Sequence, residues 1–430
     1  MKRKIEQQLQ AWKDKTTERK PLIINGARQV GKTYILRKFG EEAFENVVYI
    51  NLETNTTIAS YFHDNIEPER LLRYFEASTG ERIIPGQTLV ILDEIQSCER
   101  ALTALKYFCE EVPEYHIAAA GSLLGVAISR EHYSFPVGKV ETITLFPFDF
   151  EEYLWARGKY TLCDLIRTAY ETMEPLPEAL HMAAIELYRE YLIVGGMPAC
   201  INEFLKRGSF LDVPNVQNEI LNNYIADMAK YASNADSVKI RACYTSIPAQ
   251  LAKDNKKFQY KVVQKGGSVT IFGASIEWLN LAGVVLKCQR IGEAYEPISV
   301  YADPSAFKLY MADVGLLTAK SGISQQTVLS GAGNTFMGAL TENYVAQQLA
   351  SKGYDLYYWE SKSTAELDFV LQKDSRIIGV EVKKGENVRS RSLSVFVGTY
   401  HPAYSIRLSL KNFGQTEGLK SVPLYAVFCI

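Results

Sequence analysis

A glycine-rich segment at residues 26–33 places the strongest constraint on the fold of this chain. It reads GARQVGKT, which matches the pattern G-x-x-x-x-G-K-[ST]. The apolar run PLIIN precedes it and the helix-like TYILRKF follows it, so the segment has the strand, loop and helix that the pattern requires. Backbone N–H groups in such a loop, together with the helix N-terminus, bind phosphate. The segment therefore predicts a phosphate-binding loop, the P-loop.

Each position of the P-loop has an expected role in binding ATP. The residues predicted to contact the nucleotide are Gly26, Ala27, Arg28, Gln29, Val30, Gly31, Lys32 and Thr33. Lys32 is predicted to reach the β- and γ-phosphates and to act in catalysis, and Thr33 to offer its hydroxyl to Mg²⁺. ATP and Mg²⁺ are therefore the expected ligands.

A second constraint is the apolar run TLVILDE at residues 88–94, which ends in two acids. Carboxylates at the end of a buried strand are costly unless they meet a cation. Asp93 is therefore predicted to bind Mg²⁺ through water, and Glu94 to orient and deprotonate the attacking water. A further strand, HIAAAG, leads to Ser122, which either senses the γ-phosphate or caps the next helix.

Composition excludes several classes of protein. The chain has 430 residues, of which 47% are hydrophobic and 22% charged, as in a globular protein larger than one small domain. Its net charge of −2 means that any nucleic-acid surface must be local. The 7 cysteines form no CxxC pair, which argues against zinc and disulfide frameworks. Without a secretory signal or an apolar run of ~20 residues, we expect a cytoplasmic protein with no membrane contact.

The segments GARQVGKT, LVILDEIQ and AAGSLLG together resemble the AAA+ superfamily ATPases (AAA_14 type) that carry a C-terminal DUF4143 domain. The resemblance covers nearly the whole chain, including TLFPFDFEEYL and YLIVGGMPA, and implies ATP hydrolysis. One position departs from the family, which usually has an arginine where this chain has Lys139. Lysine does not make the bidentate contact of an arginine finger. Arg130 is the alternative finger.

The middle of the chain carries a local excess of positive charge, which we call the basic segment, residues 239–265. It contains Lys239, Arg241, Lys253, Lys256, Lys257, Lys261 and Lys265 against one acid, Asp254. The following helix pattern, a break at Gly283 and a strand fit the winged helix that the resemblance also implies. The basic segment either contacts DNA phosphates or is the solvated face of a packing module.

A carboxylate cluster is predicted near the C-terminus. Glu381 and Lys383 lie two positions apart in one predicted strand, so their side chains share a face of the sheet. Asp368 can join them from the neighbouring strand, and Glu342 from a helix. Such acids typically hold Mg²⁺ for phosphodiester cleavage, while the lysine positions or activates water. The pattern resembles PD-(D/E)xK nucleases, with Asp368 and Glu381 as metal ligands and Lys383 as a third catalytic residue. The alternatives are a salt-bridged strand and a domain that binds without cutting.

These patterns together predict an α/β protein in three parts. They are a P-loop ATPase domain with a parallel sheet (1–150), a helical and winged-helix region (151–300), and an α/β, restriction-endonuclease-like DUF4143 domain (301–430). YSIRLSL and VPLYAVF are predicted as the final strands. The expected function is ATP hydrolysis in work on DNA. The alternative is a nucleotide-dependent switch whose last domain binds DNA or a protein without cleavage, and an oligomer is compatible with both.

Overall fold

The computed structural model describes residues 1–122, 136–232, 234–331, 334–361, 365–385 and 391–430. The chain divides into two compact units. The N-terminal unit comprises residues 2–146 and 281–283, and the C-terminal unit comprises residue 1, 147–280 and 284–430. Arg130, the alternative arginine finger, lies outside the described residues. Within the described ranges, every helix is too short or too polar to cross a lipid bilayer.

The N-terminal unit is built on a five-stranded sheet. Its strands are β1 Leu22–Asn25, β2 Asn46–Asn51, β3 Thr88–Asp93, β4 His116–Ala120 and β5 Glu141–Thr144. Their order is β2-β3-β4-β1-β5, and all neighbours pair in parallel. Every residue of β3 and β4 is buried, as expected for a parallel sheet covered on both faces. The predicted parallel sheet with helices is confirmed.

One described helix precedes the sheet, and four others lie between its strands. They are Ile5–Lys13, Lys32–Ala43, Thr56–Asp64, Pro68–Thr79 and Glu99–Glu111. In the helix after the P-loop, Ile35, Leu36 and Phe39 are buried at the spacing of one helical face. The carboxyl ends of parallel strands meet at one edge of the sheet, which is where ligands bind in such folds. The P-loop, Asp93 and Ser122 therefore all lie at the same edge.

The first half of the C-terminal unit is helical. Its helices are Phe150–Ala156, Tyr160–Thr172, Glu178–Val194, Pro198–Arg207, Val213–Tyr231, Asn234–Leu251, Tyr260–Val263 and Val269–Leu281. Asp149 and Glu152 form a capping box that starts the first of them, just after Pro147. The predicted glycine turn is also present. An added Cβ at Gly196 would lie 2.1 Å from the carbonyl oxygen of Phe148, so only glycine fits there.

An eight-stranded mixed sheet forms the rest of this unit. Its strands are β6 Val285–Ile291, β7 Ala302–Met311, β8 Tyr357–Glu360, β9 Glu366–Lys373, β10 Arg376–Val382, β11 Ser405–Ser409, β12 Gly414–Thr416 and β13 Leu419–Pro423. The order is β12-β13-β11-β10-β9-β8-β6-β7. The accompanying helices are Val314–Ser321, Gln325–Ser330, Met337–Ser351 and Arg391–Tyr400. Residue 300 lies between the paired strands β6 and β7, so the predicted middle and last parts share one sheet.

Two predictions for the C-terminal unit have different outcomes. The helix Val269–Leu281 is followed by Gly283 and β6, in the predicted order, but a winged helix as such stays a prediction. The strand predicted for VPLYAVF is wrong for most of its length, because β13 ends at Pro423 and a 3-10 helix spans Leu424–Cys429. Residues 424–428 are all buried, and a short, continuous apolar run does not distinguish a buried strand from a buried helix.

Candidate functional site

The P-loop has the bends that a phosphate-binding turn requires. Gln29 and Gly31 have φ values of 66° and 95°, in the left-handed region. Gly26 packs against the backbone after β5, where an added Cβ would lie 2.3 Å from the carbonyl oxygen of Leu145. A side chain at residue 26 would therefore displace either the loop or the backbone after β5. Ala27 and Val30 are buried below the loop, and Gln29 is exposed.

The side chain of Lys32 crosses the P-loop. Its Nζ donates to the carbonyl oxygens of Gly26 at 3.0 Å and Ala27 at 2.8 Å. Burial lowers the pKa of Lys32 to about 8, although the charges of Glu94 and Asp93 oppose that shift. A buried ammonium group that lacks a full counter-charge favours an incoming anion. This arrangement suits a phosphate group in the loop.

Asp93 accepts hydrogen bonds from hydroxyl groups on two other elements. Its Oδ2 accepts from Oγ1 of Thr33 at 2.9 Å and from the hydroxyl of Tyr49 at 2.7 Å. The side chain is only 4% exposed. The structure thus brings together the carboxylate and the hydroxyl that were both predicted for Mg²⁺, and oxygen ligands of this kind suit that ion. Tyr49, in β2, was not predicted as part of the site.

Glu94 follows Asp93 on a tight turn. Its φ of 51° is unusual for a residue other than glycine, and its N–H donates to Oδ1 of Asp93 at 3.0 Å. The Oε2 atom of Glu94 accepts a hydrogen bond from Nε2 of Gln96, a residue that was not predicted to belong to the site. Ser122 is buried after β4, the strand that lies between β1 and β3. The helix that Ser122 was alternatively predicted to cap falls outside the described residues.

Two buried amide oxygens border this edge of the sheet. In the described part of the chain, Oδ1 of Asn25 and Oε1 of Gln96 have no hydrogen-bond partner. Asn25 directly precedes the P-loop, and Gln96 lies two residues after Glu94. Buried acceptors without partners are rare in folded proteins. The acceptor of Asn25, directly before the P-loop, is compatible with a hydrated nucleotide.

The predicted C-terminal cluster also comes together. The register of β9 and β10 sets Val380 opposite Phe369, which places Asp368 opposite Glu381 on one face of the sheet. Nζ of Lys383 lies 2.5 Å from Oε1 of Glu381, and Oδ2 of Asp368 accepts from the N–H of Val382 at 2.8 Å. A pocket of about 300 Å³, the C-terminal pocket, is lined by Asp368, Glu381, Lys383, Glu342, Glu366, Lys256, Lys384 and others.

Two lysines at this cluster were not predicted to belong to it. Lys308, 1% exposed, pairs with Oε1 of Glu342 at 2.9 Å and with Oε1 of Glu366 at 2.6 Å. Lys256, from the basic segment, contacts the other carboxylate oxygen of Glu342. Glu366 lies two positions before Asp368 in β9, so the two-residue period of a strand could have found it. The two lysines come from segments distant in sequence, and no spacing rule connects them with the acids of the cluster.

The charges of this cluster nearly balance. Burial raises the pKa of Glu342, but the charges of Lys256 and Lys308 outweigh it and bring the pKa down to about 2. Burial and the negative charge of Glu342 raise the pKa of Asp368 to about 7. Among the described residues, no group of three or more His, Cys, Asp or Glu side chains is arranged to hold a metal ion. A divalent ion at Asp368 and Glu381 would therefore have few protein ligands.

The basic segment is only partly available to a partner. Besides Lys256, Lys239 pairs with Asp236 at 3.4 Å and Lys253 donates to Oε1 of Gln259 at 3.4 Å. Lys261 and Lys265 are exposed. Lys139, at the position where the related family usually has arginine, pairs with Glu110 at 2.9 Å.

Comparisons with known families match three parts of the chain. Residues 18–154 match the family described as AAA domain. Residues 185–327 match DUF8612 and residues 337–427 match DUF4143, both described as domains of unknown function. The N-terminal part of the chain is thus similar to AAA domains, and the C-terminal part to DUF4143 domains.

Individual proteins match this chain either over a short stretch or at low sequence identity. Uncharacterized proteins of Mycobacterium tuberculosis and Mycobacterium bovis are each 37% identical over 79 residues, which is 18% of this chain and 18% of each relative. A Walker-type ATPase of Pyrococcus abyssi is 15% identical, with 73% of this chain and 94% of that chain covered and a TM-score of 0.45. AMPPCP-bound DnaA from Aquifex aeolicus is 10% identical, with 65% and 89% covered and a TM-score of 0.30.

Proposed function

We propose that this protein hydrolyses ATP at the edge of the N-terminal sheet, with Mg²⁺ held by Thr33 and Asp93. The observation that carries the proposal is the 2.9 Å hydrogen bond between these two residues, which joins the P-loop helix to the acidic end of β3. When bound, Mg²⁺ neutralises charge on the phosphates. The backbone of residues 26–31 and the buried ammonium group of Lys32 bind the phosphates themselves.

Glu94 is the proposed general base. It directly follows the carboxylate that holds Mg²⁺, and its backbone is fixed by the hydrogen bond from its N–H to Asp93. A carboxylate in this place can accept a proton from the attacking water. Ser122, at the end of the strand between β1 and β3, is proposed to contact the γ-phosphate.

The test is Mg²⁺-dependent release of phosphate from ATP. Lys32→Ala should weaken ATP binding strongly, and Glu94→Gln should retain binding and slow hydrolysis by roughly 10²- to 10⁴-fold. Lys38→Ala is the matched control, because Lys38 lies on the same helix and pairs with Glu6 at 2.8 Å. Wild-type rates in Glu94→Gln would show that Glu94 is not the base, and unchanged ATP binding in Lys32→Ala would contradict the whole site.

A second function is proposed for the C-terminal unit, namely binding of a DNA backbone beside the C-terminal pocket. It is supported by Asp368, Glu381 and Lys383 at one pocket and by Lys256, which connects the basic segment to that pocket. A single divalent ion between the two acids would complete a phosphodiester-cleaving site, with Lys383 positioning water. The near balance of charge without an ion supports the alternative, a nucleotide-dependent switch that binds DNA without cutting it.

DNA cleavage with Mg²⁺ or Mn²⁺ separates these two forms of the second proposal. Product that disappears in Glu381→Gln and in Lys383→Ala supports a nuclease. Salt-dependent binding without product supports the switch, and neither binding nor product contradicts a DNA function. A protein partner, an oligomer and a cytoplasmic location stay predictions.

A further inference from the structure

Gln96 lies next to the proposed general base. It belongs to the 3-10 helix Ile95–Ser97, directly after the turn at Glu94, and its side chain is 9% exposed. Its Nε2 donates to Oε2 of Glu94. A buried amide group has lost its hydrogen bonds with water and depends on a defined partner within the protein. For the Gln96 amide nitrogen, that partner is the Glu94 carboxylate.

The turn that carries Glu94 is fixed at its backbone. The left-handed conformation of Glu94, φ 51° and ψ 44°, persists in a residue with a Cβ only where its surroundings hold it. Its N–H donates to Asp93 and its carbonyl oxygen accepts from the N–H of Ser97 at 2.9 Å. These hydrogen bonds fix the backbone of Glu94 and the direction of its Cα–Cβ bond. The carboxylate itself can still move, because several rotatable bonds separate it from the backbone. Gln96 supplies the contact at that far end.

The orientation of the Gln96 amide group is set by Glu94. In the described residues its Oε1 atom is buried without a hydrogen-bond partner. Rotating the amide by half a turn would place that oxygen against the Glu94 carboxylate, where the two would repel each other. The hydrogen bond from Nε2 of Gln96 to the Glu94 carboxylate therefore fixes the orientation of both groups.

We propose that Gln96 is a positioning residue for ATP hydrolysis. By donating to Oε2 of Glu94, it holds the carboxylate so that Oε1 remains to receive the proton of the attacking water. Misplacing a catalytic group by about 1 Å can slow a reaction by roughly 10²-fold. Gln96 acts through Glu94 and has no part in binding the nucleotide. The inference rests on the proposed role of Glu94 as the base.

The test compares kcat with nucleotide binding in Gln96→Leu, which keeps the size of the side chain and removes the donor. We expect kcat to fall by roughly ten- to a hundredfold, with KM and the affinity for Mg²⁺–ATP unchanged. Gln10→Leu is the matched control, because Gln10 also donates to a carboxylate of the N-terminal unit, Asp14 at 2.8 Å, but at the surface. It should retain the wild-type kcat.

A double-mutant cycle distinguishes positioning from a general effect on structure. In the Glu94→Gln background, Gln96→Leu should cause little further loss, because the carboxylate that it positions is gone. Losses that multiply would overturn the inference. A kcat in Gln96→Leu equal to or above that of the wild type would also overturn it, since Gln96 would then be idle or would restrain Glu94.

Two further readings keep the outcomes separate. Circular dichroism checks that Gln96→Leu folds. If it does not, Gln96→Asn replaces it, because asparagine keeps the amide group but shortens the side chain by one methylene. The kcat of Gln96→Asn should also fall. Hydrolysis that requires Glu94 but is unaffected by both Gln96 variants overturns this inference alone. Absence of ATP hydrolysis in the wild type overturns the proposed function and this inference with it.

Discussion

The hydroxyl of Tyr49 donates a 2.7 Å hydrogen bond to Oδ2 of Asp93. Since Thr33 donates to the same oxygen and the N–H of Glu94 to Oδ1, both oxygens of the carboxylate are held. Burial, and then the bond to Asp93, raise the pKa of Tyr49, so the phenol stays a donor at physiological pH. Tyr49 therefore orients the carboxylate that is proposed to hold Mg²⁺, from β2, the strand that pairs with β3.

Tyr49→Phe should raise the Mg²⁺ concentration needed for half-maximal ATP hydrolysis. A hydrogen bond to a charged group contributes about 1.5–3 kcal/mol, and a loss of 1.4 kcal/mol corresponds to about a tenfold weaker affinity. A titration of hydrolysis rate against Mg²⁺ measures the shift. Tyr61→Phe is the control, because the Tyr61 hydroxyl bonds with Ser78 on the surface. Superimposable Mg²⁺ curves for Tyr49→Phe and wild type would exclude this role.

ATP affinity should depend on the protonation of Lys32. The charged ammonium group binds phosphate, and burial lowers its pKa to about 8 in the free protein. Affinity should therefore be constant below pH 8 and fall above it, by up to tenfold per pH unit, because the protein must then take up a proton on binding. Calorimetry in buffers with different ionisation enthalpies measures this uptake. Lys32→Arg should abolish it, and binding without proton uptake at pH 9 would contradict the prediction.

Mn²⁺ binding to the C-terminal pocket should increase as the pH rises through 7. Burial and the charge of Glu342 raise the pKa of Asp368 to about 7, and only the ionised acid attracts the ion. Below that pH the proton competes, so affinity should fall by up to tenfold per unit. Electron paramagnetic resonance of Mn²⁺ would follow the binding. Asp368→Asn should remove it, and a flat pH dependence would place the ion elsewhere.

Lys308→Met should destabilise the C-terminal unit. The substitution leaves Glu342 and Glu366 without their buried partner, and breaking such a pair costs about 3–5 kcal/mol. Urea unfolding followed by circular dichroism measures the change. Lys239→Met is the control, because its exposed pair with Asp236 contributes about 0–1 kcal/mol. Equal unfolding midpoints for the two variants would show that the cluster does not depend on Lys308.

If DNA binds along the basic segment, Lys261 and Lys265 are among the exposed side chains that can contact its phosphates. Replacing both with glutamine should reduce the slope of log affinity against log salt by about 0.9 for each lost phosphate contact. Fluorescence anisotropy at several salt concentrations gives the slope. Lys159→Gln changes another exposed lysine of the same unit and should leave the slope unchanged. An unaltered slope in the double variant would move the DNA surface away from this segment.

The sequence predicts best what depends on local pattern. The spacing of apolar residues, and the glycine and proline residues that flank the apolar runs, predict the P-loop, the strands of the first sheet and the meander β8 to β10. Even the meeting of Thr33 with Asp93 could be anticipated, because carboxyl ends of parallel strands share an edge. Asp368 and Glu381 could be paired in the same way from two adjacent strands.

The missed residues share one physical cause. Tyr49, Gln96, Lys256 and Lys308 act through the ends of long side chains, whose partners are set by tertiary packing. Lys308 did leave a partial signal, since a lysine inside the apolar strand AFKLYM must be paired if buried. Its partners, Glu342 and Glu366, lie in a helix and in another strand, and no spacing rule connects them.

The contact of Gly26 with Leu145 has a mechanical consequence. Leu145 is followed by Phe146, after which the chain passes from the N-terminal unit into the C-terminal unit. Arg3 donates to the carbonyl oxygens of both Phe146, at 2.7 Å, and Val30, at 3.4 Å. The chain therefore leaves this unit along the wall of the P-loop. Packed interiors transmit strain. A movement of the P-loop when a ligand binds or leaves would therefore be transmitted directly to residues 145 and 146, without passing through the sheet.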